Sequence, residues 1–149
     1  MDVLYTAVKH AHSGLRWVVL ILLVAAIFKA FAKRSGGSVY PGKEKLALFA
    51  LIATHIQLLL GLVLYLFLSP LVSFEGDVMG NAVTRFYTVE HISLMLIAIV
   101  LITVGYSRAK RQAELNKGWK TIGLFYLLGL ILIVASIPWP FRNLGAGWF

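Results

Sequence analysis

The chain has 149 residues, of which 60% are hydrophobic, and its formal net charge is +8. So apolar a composition argues against an ordinary soluble domain. The absence of cysteine rules out disulfides, thiolate metal sites, iron–sulfur clusters and covalent haem attachment through a Cys-x-x-Cys-His motif. The basic residues do not point to nucleic acid, because they fall in two clusters between apolar runs. Lys29, Lys33, Arg34, Lys43 and Lys45 form the first, and Arg108, Lys110, Arg111, Lys117 and Lys120 the second.

The first apolar run, Leu4 to Phe31, predicts a helix over about 4–33. It lacks a basic leader and greatly exceeds a signal-peptide core, so it reads as a span rather than a cleaved segment. Ser35, Gly36, Gly37, Ser38, Pro41 and Gly42 then mark a turn. The second helix is expected over 44–69, stopped by Pro70. The connection 71–85 mixes Leu71, Val72 and Phe74 with Glu75, Asp77 and Asn81, and reads as a short lid at the outer interface. Thr84 is the expected cap of the third helix, over 86–108. The fourth is expected over 118–137, ended by Pro138 and Pro140, with Trp119 and Trp139 reaching into the two interfaces. The aromatic tail, Phe141 to Phe149, is placed at the outer headgroup level. The expected fold is an all-α, integral membrane four-helix bundle forming one domain over 1–149. By the positive-inside rule, loops one and three are cytoplasmic and both termini lie outside.

Polar residues inside such spans are costly and signal function. His12 and Arg16 share one face of helix one, His55 and Gln57 lie on helix two, and Glu90 and His91 open helix three. Helical rise puts His12 roughly 9 Å and His91 roughly 10 Å outward of the bilayer centre, Arg16 roughly 3 Å outward and His55 roughly 3–5 Å inward. Two imidazoles at one depth on facing helices can ligate a haem b from both sides. His12 and His91 are therefore the expected axial pair, and His55 is the alternative ligand. Arg16, Arg85 and Arg142 are candidate partners for the propionates. Glu90 or Gln57 could orient a ligating imidazole. Gly14, Gly61 and Gly105 leave room for a flat macrocycle or a close helix contact. Glu90 with Arg16 offers a second arrangement, an intramembrane ion pair or a proton relay through His91 and His55. His10 lies near the outer interface and reads as solvated.

The segments His12 to Trp17, Thr54 to Leu62, Tyr87 to His91 and Ser136 to Arg142 resemble short four-helix proteins of Bacteroidetes-type bacteria labelled cytochrome b-like. The resemblance spans nearly the whole chain. More loosely, the pattern is similar to other small haem-b bundles, including the halves of haem A synthase. It implies haem ligation at positions among His12, His55 and His91, without saying which two are axial. Together these features suggest an electron-transfer protein of the bacterial inner membrane acting near the periplasmic face. A quinone or a periplasmic redox protein would be its partner. The alternatives are an accessory subunit of a larger membrane complex or homo-oligomer, and a proton or metal-ion transporter.

Overall fold

The computed structural model describes residues 2–113 and 117–148. Four helices are long and apolar enough to cross a membrane, and no strand occurs among the described residues. We label them α1 (Asp2–Ser35), α2 (Lys45–Leu68), α3 (Ala82–Arg111) and α4 (Lys117–Ser136). They form an antiparallel up-down bundle in which α1 packs on α2 and α4, α3 packs closely on α4, and α2 meets α3 more lightly. The Phe149 end of the tail lies outside the described residues.

Alanines cluster at the buried helix contacts, while many large apolar side chains lie on the outside. Ala26 and Ala30 of α1, Ala47 and Ala50 of α2 and Ala98 and Ala109 of α3 are buried, whereas Ile21, Phe28, Phe67, Val100 and Ile131 are exposed. In a bilayer, close packing of small residues drives helix association and lipid covers the large apolar ones. Glycines bring α3 and α4 together. A Cβ at Gly129 would lie 2.7 Å from Ile102 Cγ1, and one at Gly105 would collide with Phe125.

Two departures from α-helical geometry face each other where the C-terminal end of α2 meets the start of α3. The Ser69 N–H reaches back five residues to the Leu64 carbonyl, at 2.8 Å, and the His91 N–H does the same to Phe86. Such π turns leave carbonyls without their usual partners and often mark functional positions. Within the second, Thr88 O accepts from Tyr65 Oη at 2.9 Å. The Thr88 hydroxyl clamps the loop by bonding both the N–H and the carbonyl of Ser73.

The elements differ from expectation at two ends. The third helix starts at Ala82, and its cap is Asn81 rather than Thr84. Asn81 Oδ1 accepts from the N–H groups of both Val83 and Thr84 at 3.0 Å. Trp119, at the start of α4, is covered by the first loop. It is buried against Tyr40, 5.0 Å between ring centres, and its indole donates to Val39 O. The first loop therefore folds back over the start of α4. Glu44 caps α2 through Ala47 N and pairs with Lys29 at 2.6 Å. Burial by itself raises the Glu44 carboxyl, but the hydrogen bonds from Lys29, Ala47 and Leu46 outweigh it and hold the group below the usual carboxylate range.

Candidate functional site

The bundle encloses a cavity lined by all four helices, by Leu71 and Val72 of the connecting loop, and by Gly145, Ala146 and Gly147 of the tail. On α1 its lining runs from Tyr5 to Val19, about 20 Å along the axis at helical rise. The wall is largely apolar and includes Tyr65, Met95, Ile99 and Ile133. His12, Arg16, Gln57 and His91 interrupt it.

The two imidazoles face each other with ring centres 6.5 Å apart and planes inclined by 73°. The His91 ring is held by a hydrogen bond, whereas the His12 ring is held by packing and its backbone by Gln57. His91 Nδ1 lies 2.7 Å from the carbonyl of Ser136 at the end of α4. A carbonyl only accepts, so this nitrogen carries the proton and Nε2 keeps its lone pair. Phe86 packs on the His91 ring at 5.7 Å. Gln57 Nε2 donates to the His12 backbone carbonyl at 2.8 Å. Gly61 admits the His12 ring, since a Cβ there would lie 3.1 Å from His12 Cε1.

Four buried polar side-chain atoms lack a hydrogen-bond partner among the described residues. Three of them, His12 Nδ1, Arg16 Nε and Gln57 Oε1, belong to residues lining this one cavity. Native interiors leave few such atoms, and a cluster of them marks a place where another polar group belongs. Arg16 uses one donor to hold the tail, from Nη2 to the Trp148 carbonyl at 2.6 Å. Its guanidinium lies 5.4 Å from the Trp17 ring centre and 5.8 Å from that of Trp139.

Of the other expected site residues, His55 does not line the cavity. Its Nδ1 lies 2.8 Å from Leu51 O, one turn back, and its Nε2 is 3.4 Å from Thr103 Oγ1. That is the geometry of a polar link between α2 and α3. Arg142 bonds the Ala135 and Ile137 carbonyls, closing the end of α4, and lies 4.8 Å over Phe86. Arg85 is engaged by Glu90 at 2.8 Å and by Met79 O. Glu90 therefore pairs with Arg85 and not with Arg16. Neither Glu90 nor Gln57 accepts from an imidazole, a role that Ser136 O fills for His91. Gly14 has open space beside it, and Gly105 serves the α3–α4 contact instead of the cavity.

Among the described residues no three His, Asp or Glu side chains converge as a metal site. Haem iron takes two axial donors, and His12 and His91 are the two imidazoles that line this cavity together. Two imidazole–metal bonds of about 2 Å, plus about 1.1 Å from each nitrogen to its ring centre, separate ring centres by about 6.2 Å when both nitrogens lie on the line of centres. Sequence reasoning matched the depths of His12 and His91 but missed Lys9, Tyr65 and Tyr87, which also line the cavity. Their polar ends lie near helix termini, where a polar residue carries no distinctive signal. The chain matches no protein-family model, no curated protein and no solved structure.

Proposed function

We propose that the protein is a b-type haem protein of the bacterial inner membrane, with His12 and His91 as the axial ligands, that carries electrons near the outer face. The observation that carries this reading is the facing pair of imidazoles, 6.5 Å between centres, across a cavity with unpartnered buried polar atoms. A haem held there supplies a one-electron couple inside the bilayer. Ser136 O fixes the tautomer and orientation of His91 and raises its basicity as a donor. Arg16, with its free Nε, is the cation best placed to meet a propionate. The apolar wall excludes water, and the folded tail covers the outer end. A quinol in the bilayer or a redox protein docking outside would exchange the electron.

The test is haem content in purified variants. His12→Ala and His91→Ala are expected to lose haem, while His55→Ala and His10→Ala keep it. Loss of haem in His55→Ala with retention in His91→Ala would overturn the assignment.

A further inference from the structure

The opposite end of the bundle holds a second, chemically different pocket. It lies beyond Lys29 and Lys33 on α1, about 30 Å along that helix from His12. Four lysines line it, Lys29, Lys33, Lys43 and Lys45, together with Glu44 and Trp119. Glu44 neutralises Lys29 at 2.6 Å, and its other oxygen is taken by Ala47 N. Among the described residues no carboxylate pairs with Lys33, Lys43 or Lys45. One open concavity is therefore lined by three exposed lysines that have no carboxylate partner among the described residues.

The backbone fixes this arrangement. Ser38 N bonds to Lys33 O at 3.0 Å and Gly36 N to Ala32 O at 3.0 Å, folding the chain back at the end of α1. Gly37 and Gly42 take the left-handed turns, at φ 68° and 74°. Trp119 Nε1 ties Val39 O to α4, and Tyr40 is packed beneath. Lys43 and Lys45 are thereby held at the start of α2, where the helix dipole is positive and a cation is disfavoured. Lys33 gains from the negative end of α1, but the two lysines facing it gain nothing from their own helix. Topology alone asks only for basic loops, not for three unpaired lysines lining one concavity.

We propose that this pocket binds a phosphate group, supplied by an anionic phospholipid headgroup or by free phosphate. Lys33, Lys43 and Lys45 are its ligands, and the Lys29–Glu44 pair forms its wall. Basic pockets between helices at the membrane surface are suited to such headgroups.

The test uses the full chain in nanodiscs of mixed phosphatidylcholine and phosphatidylglycerol, with bound lipid read by native mass spectrometry. Two triple variants remove equal charge from exposed positions. Lys33→Gln, Lys43→Gln and Lys45→Gln empty the pocket, whereas Lys110→Gln, Arg111→Gln and Lys120→Gln spare it. Wild type is expected to retain one phosphatidylglycerol per chain. The pocket variant should lose it by about tenfold or more, and the control variant should bind as wild type. Thermal melting of both variants in detergent checks that they remain folded. Adding inorganic phosphate separates the two sources: displacement of the lipid identifies free phosphate as a competent ligand, and retention identifies the headgroup. Equal loss in both triples, or no anionic lipid and no phosphate held by wild type, would overturn the proposal.

Discussion

His91 Nδ1 and the carbonyl of Ser136 lie 2.7 Å apart, joining the first α-helical residue after the π turn of α3 to the last residue of α4. The π turn over Phe86–Glu90 sets this register. Its extra residue rotates His91 relative to an uninterrupted helix, so that one ring nitrogen meets Ser136 while the ring faces His12. Converting His91 to Asn would keep a polar side chain but not the span of an imidazole. His91→Asn should abolish any six-coordinate haem spectrum while the bundle still folds, as judged by far-ultraviolet circular dichroism.

Arg16 holds the tail as well as lining the cavity. Its bond to Trp148 O and the stacking of Trp17 on Trp148, 6.4 Å between centres, keep the tail against the cavity. Arg16→Met removes a hydrogen bond to a charged donor, worth about 1.5–3 kcal/mol. Backbone amides of Gly145 to Trp148 should then exchange at least about tenfold faster in hydrogen–deuterium exchange, while those in the middle of α2 stay unchanged.

Gly105 and Gly129 set the distance between α3 and α4. Gly129→Ala would place a methyl 2.7 Å from Ile102 Cγ1 and 3.3 Å from the Ala98 carbonyl, and Gly105→Ala would press on Phe125. Overpacking of this kind costs about 1–3 kcal/mol. Each variant should lower the thermal midpoint in detergent. Gly14→Ala, which meets nothing within 4 Å, should leave it unchanged or raise it.

The Lys29–Glu44 pair gives stability a defined pH dependence. Glu44 has a folded pKa below its ordinary value of 4.5. Its contribution is therefore fully present above pH 4.5 and is lost as pH falls through the depressed folded value. Glu44→Gln should cost about 1–3 kcal/mol at neutral pH and flatten this acid limb in melts recorded across the same range.

Much of the fold was legible because bilayer physics writes long signals. Apolar runs, Pro70 and Pro138 gave the four helices to within a few residues at most ends, and helical rise alone brought His12 and His91 to one depth. What could not be read depends on tertiary geometry. Nothing in Phe86 to Glu90 announces a π turn, and only the folded tail brings Trp148 to Arg16. His55 resembles the other two histidines in sequence, yet its rotation on α2 turns it toward Thr103. The Asn81 cap was readable, since Asn outranks Thr at that position.

The central claim is tested most directly by the absorption spectrum of the detergent-purified protein, first oxidised and then reduced with dithionite, with haem counted after pyridine extraction. Sharp reduced bands of a six-coordinate b-type haem, at one per chain, are the expected result. A protein that stays colourless after expression with added haem precursor would contradict the account.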